Sequence, residues 1–202
     1  MSETETGRTD EFDTSEPSTR ERILRAAAEV FAAKGYHGAG MTELGVAAKI
    51  QRGALYYHIG SKEELLFDLC KRHVEEALRR GREAIATTDD PIGQFRALAT
   101  EHLRTLAERR SDVIVAEREM HALTGERAVR LAALRREHQS LFELVIKRGH
   151  EAGVFARSGQ IDILGVLGMF NYTYVWLDPA GALSVDEIAD QLVDLIIHGL
   201  GG

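Results

Sequence analysis

Apolar residues recur at three- and four-residue intervals along almost the whole of this 202-residue chain, and only Pro17, Pro91 and Pro179 interrupt the rhythm as prolines. That spacing lines up side chains on one face of a helix, whereas a half-buried strand needs strict alternation. β-branched runs bounded by turn residues are scarce, and Ala, Leu, Glu and Arg fill the periodic stretches. The pattern predicts an all-α fold of about nine helices. Hydrophobic residues make up 44% of the chain, enough to fill a real core.

Start and stop signals divide the helices. Ser18 with Glu21 forms a capping box, Ile23, Leu24, Ala27, Val30 and Phe31 give one buried stripe, and Gly35 supplies the stop. Residues 41–48 carry Met41, Leu44, Ala47 and Ala48, and residues 52–58 carry Leu55, with Ile59 just beyond. Helices this short are marginal alone, so they must pack on the first helix and on each other, which describes a helix-turn-helix. Ser61 and Glu64 open a fourth helix of roughly 18 residues, running through Leu69 and Val74 to Gly81. Asp90-Pro91 starts a fifth that ends near Arg110, since proline at the first helical position gives up no hydrogen bond. Further helices are expected over 112–122, 124–152, 161–177 and 184–200, with Gly153, Pro179 and Gly181 as breaks and Ser184-Glu187 as a third capping box. The polar, aperiodic residues 1–17 are expected to be a disordered acidic tail, residues 18–60 a helix-turn-helix head, and residues 61–202 a helical body.

The net charge of −7 argues at first against a nucleic-acid partner, but its distribution reverses that reading. Residues 1–17 hold Glu3, Glu5, Asp10, Glu11, Asp13 and Glu16 against Arg8 alone. The head holds Arg20, Arg22, Arg25, Lys34, Lys49 and Arg52 against Glu21, Glu29 and Glu43. An acidic tail and body around a basic head suit a protein that meets DNA with one end. No apolar run is long enough for a membrane span, and the acidic N-terminus does not read as a signal peptide. The one cysteine, Cys70, excludes an internal disulfide and reads as a buried thiol, so a cytoplasmic protein is expected.

The third helix carries the DNA chemistry. Arg52 can donate two hydrogen bonds to a guanine edge, and Gly53 and Ala54 are small enough to let the helix approach the groove. Tyr56, Tyr57 and His58 offer donors to phosphates, and Lys62 stands beside the free N–H groups that open the next helix. A tyrosine pair between helices is also ordinary core filling, and a single arginine can be a solvated surface residue. The arrangement, more than any one member, carries the reading.

The stretch Gly53-Ala54-Leu55-Tyr56-Tyr57-His58, followed by Ser61-Lys62-Glu63-Glu64-Leu65 and preceded by Phe31-Ala32-Ala33-Lys34-Gly35-Tyr36, resembles the N-terminal signature of the TetR family of bacterial repressors. By that resemblance Met41 and Thr42 lie near phosphates or bases. Arg52, Gly53 and Ala54 fall on base-reading positions, and Tyr56, Tyr57, His58 and Lys62 on positions that hold the DNA backbone. Four positions depart from the pattern: Gly40 and Gln51 stand where Ser or Thr caps are usual, Lys49 where glycine is usual, and Ile59 where phenylalanine is usual. Lys49 must therefore adopt a left-handed conformation or shift the turn.

One head reads few base pairs, so specificity needs two heads on a rigid homodimer facing a palindromic operator. The last two helices are the expected interface, through Leu164, Gly165, Gly168, Val185, Ile188, Ala189, Leu192, Val193 and Ile196. Phe95, Glu117, Met120, Phe142, Met169, Phe170, Tyr174 and Trp176 are the expected lining of an effector pocket. The segment from Leu167 to Ala189 resembles TetR members that control fatty-acid or steroid catabolism, which implies a small lipophilic or acyl-CoA-type effector. Leu177 and Asp178 depart from that group's aromatic and arginine.

Two other classes compete. An enzyme finds little support: there is no phosphate loop, dinucleotide fingerprint, Gly-x-Ser-x-Gly or metal-ligand spacing, Glu117, Glu119 and His121 being the nearest approach to a metal set. No catalytic residue, metal or cofactor is therefore expected. A helical scaffold with a degenerate head is the other rival, and Lys49 is its best support.

Overall fold

The computed structural model describes residues 18–200, so the expected acidic tail lies outside the described residues. Nine α-helices follow in order among the described residues: α1 (Thr19–Gly38), α2 (Met41–Ala47), α3 (Arg52–Ile59), α4 (Lys62–Ile85), α5 (Pro91–Glu108), α6 (Arg110–Glu119), α7 (Gly125–Glu151), α8 (Gln160–Trp176) and α9 (Val185–Leu200). A 3-10 turn, Met120–Ala122, joins α6 to α7, and no strand is present among those residues.

Caps account for most boundaries. Ser18 Oγ accepts the Glu21 N–H at 3.2 Å while the Glu21 carboxylate accepts the Ser18 N–H at 3.0 Å. Ser184 and Glu187 make the same reciprocal pair at 3.2 and 2.7 Å before α9. Asp90 accepts the Gly93 N–H at 2.7 Å, with Pro91 at the first helical position. At α4 only half of the expected box forms. Ser61 accepts the Glu64 N–H at 3.0 Å. The neighbouring Glu63 instead accepts the Thr124 N–H and hydroxyl at 2.9 and 3.0 Å, tying the start of α4 to the start of α7.

Gly35 breaks α1 as expected, with φ of 75°. Gly81 does not end α4, which runs on to Ile85. Its backbone is helical, and it is glycine because α5 and α7 approach there. A Cβ would stand 2.8 Å from Leu141 Cδ1 and 3.0 Å from Leu98 Cδ1. This is close helix packing rather than a chain terminator.

Two apolar cores result. The first gathers Ile23, Leu24, Phe31, Leu44, Leu55, Ile59, Leu65 and Leu69 of α1–α4 with Val115 and Ala116 of α6, Leu123 just before α7 and Leu131 within it. The second gathers Leu78, Phe95, Leu98, Phe142, Val145, Phe155, Phe170 and Val193. Helices α4, α6 and α7 contribute to both: Val74 and Leu78 fall in different cores one turn apart, Val115 and Val113 on different sides of α6, and Leu131 and Leu141 at successive levels of α7. The head is thus bolted to the body by three shared helices. Packed cores resist continuous deformation, so a shift of α4 or α6 is carried into the head.

Candidate DNA-contacting helix and sensor cavity

Helix α3 buries only Leu55 and Ile59, at 0% and 2% exposure. Neither tyrosine fills the core: Tyr57 is 87% exposed and Tyr56 is at the surface beside the Arg52 guanidinium, 5.8 Å from the ring centroid. Arg52, Gly53 and Ala54 are exposed, and His58 is half-buried against Tyr57. A Cβ on Gly53 would meet nothing within 4 Å, so no internal contact requires glycine there. The side-chain-free surface faces outward.

The turn before α3 explains how so short a helix is held. Ile50 N–H donates to Gly45 O at 2.9 Å, and a Cβ on buried Gly45 would crowd Ile50 O at 3.0 Å. Lys49 takes a left-handed φ of 57°, so the turn keeps its shape at the expense of some backbone strain in a non-glycine residue. Gly40 and Gln51 cap α2 and α3 without any side-chain hydrogen bond. Met41 is half-buried against the first core, and Thr42 is exposed at the start of α2. Lys62 lies with its ammonium 4.5 Å from the centre of the Tyr36 ring, while Lys34 pairs with Glu43. Burial and the nearby Glu63 carboxylate push the Tyr36 hydroxyl above its ordinary pKa.

Of the residues expected in an effector pocket, few meet around a space. Phe95, Phe142 and Phe170 are fully buried and pack on one another, with Phe170 6.1 and 6.0 Å from the other two ring centroids. Met120 packs against the first core, remote from those aromatics in the contact pattern, and Tyr174 packs against the second. Met169 and Trp176 are 36% and 50% exposed on the outer side of α8, which removes them from the interior of the protomer. Glu117 does line a cavity, of about 130 Å³, where α4, α5, α6, α7 and α8 meet.

The rest of that cavity's polar lining is absent from the sequence-based expectation. His73, His102 and His138 face it, together with Asn171 and the Glu117–Arg135 ion pair at 2.8 Å, while Val74, Leu106 and Leu167 supply apolar wall. Burial drives His73 and His102 down to about 4 and His138 to about 3, so all three imidazoles are neutral near pH 7. A signal for them exists in the sequence. Each occupies an apolar-stripe position, beside Cys70 and Val74, Leu103 and Leu106, or Leu134 and Leu141. A larger cleft of about 570 Å³ lies open between α1, α4 and α6, but its arginines are largely taken up by acids, as in Arg72–Asp112 at 2.7 Å and Arg80–Glu108 at 2.7 Å. Among the described residues no group of three or more His, Cys, Asp or Glu side chains is placed to hold a metal ion.

The residues expected at a dimer interface divide into two sets. Ala189, Val193 and Ile196 are buried at 0%, 0% and 4% in the protomer's own core, where α9 lies on α5. They cannot also face a second copy. Arg96 clamps that contact from outside with bonds of 2.6 and 2.7 Å to Asp190 and Asp194, and Arg104 adds Asp186. Val185, Ile188 and Leu192 are half-buried at its edge. On α8, Leu164, Gly165 and Gly168 do face outward, joined by Ile161, Met169, Tyr172, Val175 and Trp176 at helical spacing. Leu195 of α9 is also exposed, at 59%.

Comparison with known proteins adds an independent line. Residues 23–69 match the family model described as bacterial regulatory proteins, tetR family, and residues 88–200 match the tetracyclin repressor-like C-terminal domain. The chain is 28% identical over 193 residues to the HTH-type transcriptional repressor KstR2 of Rhodococcus jostii, spanning 93% of this chain and 94% of the relative. It is similar in structure to the TetR family regulator PfmR from Thermus thermophilus, with a TM-score of 0.82, 30% identity, and coverage of 89% of this chain and 98% of that one. A structure of AibR in complex with isovaleryl coenzyme A and operator DNA superposes with a TM-score of 0.80 at 24% identity, covering 88% and 97% of the two chains.

Proposed function

From the premise that the chain belongs to the tetR family of bacterial transcription regulators, we propose that it is a homodimeric repressor, released from a palindromic operator by a small effector. The observation that carries the proposal is α3. It exposes Arg52, Gly53, Ala54, Tyr56 and Tyr57 together while Leu55 and Ile59 alone anchor it. In this reading Arg52 donates to a guanine edge, a contact worth about 1–3 kcal/mol of discrimination. Met41, Thr42, Tyr56, Tyr57, His58 and Lys62 hold the backbone and fix the register.

The outward apolar stripe of α8 and the exposed edge of α9 support two-fold pairing, with Gly165 and Gly168 allowing close helix approach. A two-fold dimer sets two recognition helices about 34–36 Å apart, one turn of the duplex. The effector is lipophilic or acyl-CoA-like, a reading supported by the structure of AibR in complex with isovaleryl coenzyme A and operator DNA. Its binding in the body shifts α4 and α6, which are shared with the head. A differential affinity of a few kcal/mol between two head spacings suffices to switch the equilibrium.

Selection of bound duplexes from a random pool tests the reading. The expected product is an inverted repeat, and Arg52→Ala should relax the preference at one base pair per half-site while sparing the others. Uniform weakening on all duplexes would make Arg52 a phosphate contact. Recovery of no sequence preference from the unmodified protein would refute the regulator reading.

A further inference from the structure

The body cavity contains more unmet hydrogen-bonding capacity than a packed core tolerates. Arg72 aside, four buried side-chain nitrogens without a well-formed hydrogen bond belong to three imidazoles, His73 Nδ1, His102 Nδ1 and Nε2, and His138 Nε2, with the polar side chain of Asn171 near enough to His102 to interact with it weakly. His73 and His102 are each only 6% exposed. An orphaned buried polar group is costly to a folded protein. Here three such residues, from α4, α5 and α7, converge on one space of about 130 Å³. The His102 and His138 rings stack with centroids 5.2 Å apart, and Phe142 packs edge-on against His102.

We propose that this cavity seats an uncharged oxygen group, a hydroxyl or a ketone-type carbonyl, carried on a compact apolar body. A neutral imidazole offers one N–H donor and one bare nitrogen acceptor. Three of them match a hydroxyl, which donates and accepts, or a carbonyl oxygen, which takes two donors. A carboxylate fits poorly because it brings a charge into a site without a free buried cation. Arg135 is already paired with Glu117, and Arg136 reaches solvent. The depressed imidazoles agree with a neutral site. The volume is close to that of a cavity of about 150 Å³ able to hold benzene, so a six-membered ring with one oxygen is the right scale. Val74, Leu106 and Leu167 supply its apolar contacts. This inference rests on the sensor role proposed above and narrows its effector to the compact lipophilic alternative, since a space of about 130 Å³ is too small for a coenzyme A moiety.

Four ring probes added to the full-length protein test the proposal: cyclohexanol, cyclohexanone, methylcyclohexane and cyclohexanecarboxylate. Calorimetry and the imidazole ring resonances are read together. Cyclohexanol or cyclohexanone should bind at least about tenfold more tightly than the hydrocarbon and the carboxylate, and should move the His73, His102 and His138 signals together. His102→Leu should remove that preference while leaving methylcyclohexane binding intact, and His102→Gln should recover part of it. If His102→Leu does not fold, the ranking of the four probes on the unmodified protein decides. Equal binding of the hydrocarbon, tighter binding of the carboxylate, or no movement of the three rings overturns the proposal. Palindromic DNA binding is measured in parallel. Its survival beside failed probes would sink only the cavity assignment, and its loss beside bound probes only the regulator reading.

Discussion

Lowering the pH from 7.5 to 5.0 should destabilise the protein through three imidazoles. Burial holds His73 and His102 at about 4 and His138 at about 3, against an ordinary 6.5, and for His73 the attraction of Glu117 only partly offsets it. Between those values the unfolded chain takes up protons that the folded chain refuses. Stability is therefore complete above 6.5 and falls as the pH drops toward 4. By pH 5.0 each imidazole has forfeited on the order of 1–2 kcal/mol, and the three together several kcal/mol. That is a large part of the roughly 5–15 kcal/mol by which folded proteins are stable. Carboxylates do not confuse this window. Glu76, held near 2 by hydrogen bonds from Arg79 and Arg80, loses its contribution only below its ordinary 4.5. Asp68, raised by burial, gains stability on acidification. Urea unfolding at fixed protein concentration measures the change, and His102→Leu should remove about a third of it. A urea midpoint unchanged between the two pH values, or a His102 ring that titrates near 6.5, would refute the reasoning.

Two substitutions separate surface chemistry from folding. Gly53→Ala adds a methyl that meets nothing inside the protein, so thermal stability should hold or rise by about 0.5–1 kcal/mol while duplex binding weakens. Equal binding by the variant would remove Gly53 from the groove contact. Leu164→Glu places a charge on the outward stripe of α8, 44% exposed in the protomer, and should give monomers by sedimentation with helical content unchanged. A variant that stays dimeric would move the interface elsewhere.

Most of the fold is legible in the sequence because local signals agree with tertiary packing. The capping residues Ser18, Asp90 and Ser184 and the breakers Gly35 and Gly153 mark helix ends within a residue or two. Gly81 misleads for a physical reason: a glycine that admits two neighbouring helices looks identical, in sequence, to one that ends its own. The surface of α3 is equally legible, since a short helix with two anchors must turn its other residues outward. The cavity is not. Aromatic residues mark hydrophobic positions without distinguishing packed core from lining, and Phe95, Phe142 and Phe170 are packed core. The histidines that face the space are far apart in the chain, and only helix packing brings them together. The same limit applies to α9, where apolar flanks identify neither which side lies on α5 nor which meets a second copy. Burial assigns Ala189 and Val193 to the first and leaves Leu195 exposed.

Sedimentation of the protein mixed with duplexes of graded length reads the account at its root. Two α3 helices on one symmetric assembly should load two protomers together onto a duplex that carries both half-sites, with binding that falls steeply as salt rises. One protomer per duplex, or equal loading on a duplex cut to a single half-site, would contradict it.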